Sequence, residues 1–117
     1  MGEHAIIDMP TFNQLKEMMG AEFIVELIDT YIQETGRLID QLGVALSSGE
    51  AVTFGGVAHS IKSSSASLGA LDFSQQAREL EMMGKAKDLS GAEIKLEKLN
   101  TDFLLVKQCL EELKHGA

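Results

Sequence analysis

The chain has 117 residues, of which 18 are Asp or Glu and 10 are Lys or Arg, so its formal net charge is −8 at pH 7. With 44% apolar and 24% charged residues, its composition is typical of a globular protein and excludes a disordered one. So acidic a chain lacks the basic surface that grips phosphate groups, which argues against nucleic-acid or membrane-surface binding. We therefore expect one domain over residues 1–117, with other proteins as partners.

The cysteine content and the apolar runs indicate where the chain acts. The single Cys109 has no second cysteine for an internal disulfide, and no cluster of Cys and His has zinc-ligand spacing. No apolar run reaches the roughly 18 residues of a membrane span, and the N-terminus lacks the pattern of a signal peptide. We expect a metal-free cytoplasmic protein. From the start at Met1 and the end after Gly116 we expect a free-standing domain, and a domain excised from a larger protein stays open as the alternative.

The first two helices are marked by their boundaries. Asp8 with Pro10 just after it predicts the capped start of a short helix that ends at Gly20. From Ala21 to Leu46, apolar residues recur every three or four positions between charged ones, which predicts a long amphipathic helix. Residues 47–49, Ser-Ser-Gly, end it.

Three further helices follow with short connections. The apolar spacing predicts a third helix over 57–68, a fourth over 73–87 capped by Asp72, and a fifth with Ser90 as N-cap. Gly84 is expected to loosen the last turn of the fourth helix. Four long helices with one apolar stripe each predict an all-α antiparallel up-down four-helix bundle, with the short N-terminal helix as an accessory.

One stripe of the third helix carries a histidine among small residues. A helical wheel places the following residues on the side away from the core, with the two glycines one turn before the histidine: Gly55, Gly56, His59, Lys62, Ser63 and Ala66. Glycine and serine lower helix stability, so their presence around one imidazole is consistent with room for a partner to approach the ring.

Two interpretations of this stripe remain open from spacing alone. Neutral His59 can attack a phosphoryl group through Nε2, and Lys62 can stabilise the charge that develops on the phosphoryl oxygens. Alternatively, the stripe is an ordinary solvated helix face, and the serines reflect close helix packing with hydroxyls bonded to i−4 carbonyls.

The segment Ala58-His59-Ser60-Ile61-Lys62-Ser63-Ser64-Ser65-Ala66-Ser67-Leu68-Gly69-Ala70 resembles the signature A-H-x-L-K-G-[SA]-[SA]-x-x-L-G-A of histidine-containing phosphotransfer (HPt) domains. The similarity continues in the I-D-x-x-x-F-x-x-L pattern at 7–15, in the run 23–46 that ends in A-L-x-x-G, and in Ala-Arg-Glu-Leu-Glu at 77–81 followed by Gly84. It therefore covers nearly the whole chain.

The resemblance implies a four-helix bundle that relays a phosphoryl group between receiver domains of hybrid sensor kinases and response regulators. It implies that His59 is the phosphoacceptor, that Lys62 supports the phosphoryl group, and that Glu81 orients the other imidazole nitrogen. The chain has no glycine-rich nucleotide loop, so we expect a phosphocarrier without an ATP site, an enzymatic activity or a cofactor of its own. The Mg²⁺ is expected on the receiver, and the carrier is expected to be a monomer.

One residue departs from the signature. Ser63 stands where the family usually has Gly after the motif lysine, so its hydroxymethyl group either narrows the approach to the ring or bonds the phosphoryl oxygens. We expect transfer to survive with an altered rate or partner preference.

Two other functions compete with phosphotransfer. The same bundle could dock a kinase or receiver as a non-phosphorylated adaptor or inhibitor. That hypothesis predicts that His59 or Lys62 is replaced by another residue, and both are present. A helical enzyme or metal protein would need a second His or carboxylate three or four residues from His59, and none is there.

The remaining candidates are weaker: His4 and His115 lie at the chain ends, and Cys109 has no cationic neighbour in sequence. Candidate docking residues are Met9, Phe12 and Phe23, each of which fits the core equally well.

Overall fold

The structure, a computed structural model, describes residues 6–116, and over this range it contains five helices and no strand. The helices are α1 (Met9–Met19), α2 (Ala21–Ser48), α3 (Ala51–Leu68), α4 (Leu71–Ala86) and α5 (Ala92–His115). The prediction of an all-α fold is confirmed. Within the described range, no helix is both long enough and apolar enough to cross a membrane.

The four long helices enclose one apolar core. Helix α2 contacts α3 and α5, α4 contacts the same two helices, and α1 packs against α2 and α3. The largest fully buried apolar side chains come from every helix that lines this core: Phe12, Ile24, Ile28, Leu42, Phe54, Ile61, Leu68, Leu80, Leu99 and Leu110. Burying a side chain of this size contributes about 1.5–3 kcal/mol, so these apolar stripes supply most of the stabilisation.

The helix boundaries follow the sequence at some ends and differ at others. The Asp8 carboxylate accepts a hydrogen bond from the Thr11 backbone N–H, as expected for an N-cap with Pro10 in the first turn. Two predicted caps are wrong: α4 begins one residue before Asp72 with Ala70 as its N-cap, and the N-cap of α5 is Gly91. The backbone N–H of Ser90 instead donates to the side chain of Asp88, in the turn before α5.

Helix α3 starts at Ala51, six residues earlier than the apolar pattern predicts. Gly55 and Gly56 are therefore inside the helix, where glycine is disfavoured by about 1 kcal/mol relative to alanine. The presence of glycine at position 55 is explained by the packing of α3 against α4. Gly55 is buried against this neighbouring helix, so its missing side chain permits the contact between the helices and also contributes to the open space beside the imidazole.

A pair of glycines brings the backbones of α3 and α4 into contact. A Cβ atom on Gly84 would lie 2.5 Å from the Gly55 Cα and 2.7 Å from the Ala51 carbonyl oxygen, so neither helix could keep its place. Gly84 therefore permits close packing, a role that its effect on helix propensity did not predict, and α4 continues past it to Ala86. This contact sets the spacing between the helix that carries His59 and the helix that carries Glu81.

Candidate functional site

His59 lies on α3 with its side chain 57% exposed and one ring nitrogen engaged. Its Nδ1 is 2.8 Å from Oε2 of Glu81 on α4. An ionised carboxylate only accepts hydrogen bonds, so in the neutral imidazole the proton resides on Nδ1. Among the described residues Nε2 has no hydrogen-bonding partner, and its lone pair is available at the exposed edge of the ring.

Glu81 is a buried carboxylate surrounded by cations. The residue is only 4% exposed, yet Lys62 Nζ lies 2.8 Å from Oε1 and Lys85 Nζ lies 3.5 Å from Oε2. The hydrogen bond from Lys62, followed by that from His59, outweighs the effect of burial and lowers the pKa of Glu81 to about 2. The carboxylate is therefore ionised over the whole physiological range, which fixes the tautomer of His59.

Lys62 is held in place from both of its ends. Its side chain is 28% exposed and is paired to Glu81, while its carbonyl oxygen accepts a 2.8 Å hydrogen bond from the hydroxyl of Ser74 on α4. Its spacing in the sequence places Lys62 one helical turn from His59. The structure adds that the ammonium reaches the same carboxylate as the imidazole, so Glu81 connects the two predicted site residues.

Lys85 is a site residue that the sequence analysis missed. It follows Glu81 by one helical turn, the i,i+4 spacing at which opposite charges meet on a helix, and this spacing was the available signal. Its side chain is 67% exposed, so its ammonium remains accessible to an anion that approaches His59.

An open groove of about 470 Å³ runs beside the imidazole between α3 and the end of α4. It is lined by the hydrogen-bonded His59 and Glu81, three glycines, one valine and two lysines: Val52, Gly55, Gly56, His59, Glu81, Gly84, Lys85 and Lys87. A Cβ on Gly56 would meet no atom within 4 Å, so this glycine leaves free space next to the ring. The groove combines an accessible nitrogen, room for a partner and positive charge in an otherwise acidic protein.

The serines of α3 differ in their contacts. Ser60, Ser64 and Ser67 bond to the carbonyl oxygens four residues earlier, as the packing interpretation predicted. Ser65 is buried, and its hydroxyl lies 2.6 Å from the Tyr31 hydroxyl on α2. Ser63 is exposed one turn after His59, whereas Ala66 is half-buried at the far end of the predicted stripe.

None of the other candidate residues that the structure describes lines this groove. Phe12 is part of the core, whereas Met9 is 38% and Phe23 61% exposed. Cys109 is half-buried, and burial together with nearby Glu112 raises the pKa of its thiol, the opposite of an activated nucleophile. His115 is exposed in the last turn of α5, and His4 lies outside the described residues. Residues 6–116 contain no group of three or more His, Cys, Asp or Glu side chains able to hold a metal ion.

Comparisons with known proteins agree with this geometry. The model of the Hpt domain family matches residues 26–116, which include His59, Lys62 and Glu81. The chain belongs to the Hpt domain family. A structural comparison finds the crystal structure of histidine-containing phosphotransfer protein B (HptB) from Pseudomonas aeruginosa PAO1, with 25% sequence identity and a TM-score of 0.91 over 98% of this chain and 99% of that chain. Comparison with curated proteins finds no match.

Family membership defines the class of reaction. Hpt domains are phosphocarriers that act with receiver domains, so the chain is a histidine phosphotransfer protein of a phosphorelay. The resemblance described from the sequence is therefore confirmed at the level of the family.

Proposed function

We propose that His59 accepts a phosphoryl group on Nε2 from the aspartyl phosphate of one receiver domain and passes it to the aspartate of another. The observation that carries this proposal is the 2.8 Å contact between Nδ1 and the buried Glu81 carboxylate, which leaves the exposed Nε2 as the nucleophile. Bonding through Nδ1 also fixes the ring orientation before the receiver arrives, which lowers the entropic cost of an in-line encounter.

The transfer step balances without a cofactor on this chain. The Nε2 lone pair forms a bond to phosphorus while the bond between phosphorus and the aspartyl oxygen breaks, and the electron pair returns to the receiver as a carboxylate. Lys62 neutralises charge on the phosphoryl oxygens, and a Mg²⁺ held by the receiver would supply further positive charge there. Glu81 supports the positive charge that the imidazole acquires on bond formation.

The surroundings of His59 define the expected partners. The groove beside the ring presents Lys85 and Lys87, and the phosphoryl group that a receiver brings is an anion, so the charges of the groove and of the transferred group are complementary. We propose that receiver domains of hybrid sensor kinases and response regulators dock here on a monomeric carrier in the cytoplasm. The helix contacts and the short connections support a single domain built as an antiparallel up-down four-helix bundle with α1 as an accessory.

The experiment is a transfer assay with a matched histidine control. The purified chain is mixed with a ³²P-labelled receiver, and label on the chain is measured with its stability in acid and alkali. We expect an acid-labile, alkali-stable label that is lost in His59→Gln and retained in His115→Gln, since His115 is exposed at the end of α5. Absence of label with every receiver, accompanied by stable binding, would instead identify a non-phosphorylated adaptor.

A further inference from the structure

The hydrogen bond between His59 and Glu81 has a consequence for the phosphorylated protein as well as for the free one. Glu81 is 4% exposed and ionised, and its Oε2 lies 2.8 Å from Nδ1. A phosphoryl group on Nε2 leaves this contact in place, because the two nitrogens are on opposite sides of the ring. We infer that Glu81 retains the proton on Nδ1 after phosphorylation, so that the phosphoryl group is bound to an imidazolium, its more reactive form. This inference rests on the proposed function, because it describes the intermediate of that reaction.

Geometry disfavours the deprotonated alternative. If Nδ1 lost its proton, its lone pair would face an anionic oxygen at hydrogen-bond distance, with no proton between them. The carboxylate cannot turn away without cost, since its two oxygens are bonded to Lys62 and approached by Lys85 inside a buried site. The dianionic phosphoryl group acts in the same direction, because it too favours a positive ring.

Three cations near the imidazole favour loss of the Nδ1 proton. Lys62 faces the carboxylate from α3, Lys85 from α4, and Lys87 lines the same groove. Each disfavours a positive ring through space, but Lys62 and Lys85 form ion pairs with Glu81 and not with the imidazole. The carboxylate makes the direct contact with Nδ1, and the phosphoryl group adds further negative charge beside the lysines, so the protonated ring is favoured.

The retained proton determines the leaving group. When the bond between phosphorus and Nε2 breaks, its electron pair stays on Nε2. With a proton on Nδ1 the product is neutral imidazole, whereas without it the product is an imidazolate anion, a far poorer leaving group. Attack by a receiver carboxylate oxygen therefore forms the new bond to phosphorus and regenerates neutral His59 with no net proton transfer. Attack by water gives inorganic phosphate and the same neutral ring.

The variant Glu81→Gln separates charge from hydrogen bonding. A glutamine can accept from a protonated Nδ1 through its oxygen or donate to a deprotonated Nδ1 through its amide nitrogen, so it fits both forms. The phosphohistidine of this variant should lose its Nδ1 proton at lower pH. Lys85→Gln is the matched control, because it removes a neighbouring charge of opposite sign and leaves the contact with Nδ1 intact.

The test uses phosphoramidate, which phosphorylates histidine directly and needs no receiver. Loss of the phosphohistidine signal is followed by ³¹P NMR between about pH 5 and 9 for the wild type, Glu81→Gln and Lys85→Gln. We expect the midpoint of the pH profile in Glu81→Gln to fall by about 1 unit or more, the usual effect of removing an adjacent opposite charge, which slows dephosphorylation about tenfold above the midpoint. In Lys85→Gln the midpoint should stay or rise.

An unchanged profile in a folded Glu81→Gln protein would overturn the inference. A second measurement needs no variant: the ¹⁵N signal of Nδ1 in phosphorylated wild-type protein at pH 7 should be that of a protonated nitrogen, and the signal of an unprotonated one would also overturn it. These results are independent of the relay, because a phosphorylated wild-type protein that no receiver dephosphorylates would refute the proposed function alone.

Discussion

Replacing Gly84 by alanine tests whether close contact between α3 and α4 holds the site together. The added Cβ would lie 2.5 Å from the Gly55 Cα, 2.6 Å from its nitrogen and 2.7 Å from the Ala51 carbonyl oxygen. All three are backbone atoms, so no side-chain rotation relieves the overlap and the helices must move apart. Overpacking of this kind costs about 1–3 kcal/mol, against a gain of about 1 kcal/mol from the better helix propensity of alanine. We expect Gly84→Ala to lose up to about 2 kcal/mol of unfolding free energy.

Gly43→Ala provides the control for this experiment. Gly43 is inside α2, and a Cβ there would meet no atom within 4 Å. Only the better helix propensity of alanine therefore acts, and we expect the free energy of unfolding to rise by about 0.5–1 kcal/mol. Both variants are unfolded in urea and followed by far-ultraviolet circular dichroism. Because Glu81 lies one turn before Gly84, the shifted α4 should also slow phosphorylation of His59. Equal stability of the two variants would refute the argument that backbone contact requires glycine at position 84.

Three further predictions follow from the buried polar groups and from the departure at Ser63. The pKa of Glu81 is lowered from 4.5 to about 2, so the stability that its ionised form contributes is complete above pH 4.5 and is lost as the pH falls towards 2. The free energy of unfolding of Glu81→Gln should lack this decrease between pH 4.5 and 2, and identical curves of stability against pH for the variant and the wild type would contradict the prediction. Burial raises the pKa of Tyr31, the single tyrosine, to about 12, so alkaline absorbance titration should show no phenolate near pH 10, and its appearance there would disprove the burial of this hydroxyl. Ser63→Gly should change the rate of phosphoryl transfer in a stopped assay, and an unchanged rate with every receiver would show that the serine neither obstructs nor assists.

The sequence predicted the helices better than their contacts. Apolar spacing located all five elements, and Asp8 marked the start of α1, because both signals are local. The role of Gly84 could not be predicted, since it depends on the backbone of α3, about 30 residues away along the chain. The early start of α3 was missed for the same reason: Gly55 opposes helix formation locally and is tolerated because of the packing against α4.

The site shows the same division between local and distant information. The spacing of His59 and Lys62 predicted one helical face, and the family resemblance pointed to Glu81. Neither indicated that a single buried carboxylate would bind the imidazole, Lys62 and Lys85 together, because that arrangement requires the register of α4 against α3. The i,i+4 spacing of Glu81 and Lys85 was visible in the sequence, but it gained significance only with the placement of Glu81 beside His59.

The most direct test of the account is to identify the phosphorylated atom. Protein labelled with ¹⁵N is phosphorylated by a receiver, and the coupling between ³¹P and ¹⁵N is measured by NMR. Because Nδ1 is hydrogen-bonded to Glu81 and Nε2 is exposed, we expect coupling to Nε2 of His59, with the Nδ1 proton retained. Coupling to Nδ1, or phosphate on any residue other than His59, would contradict it.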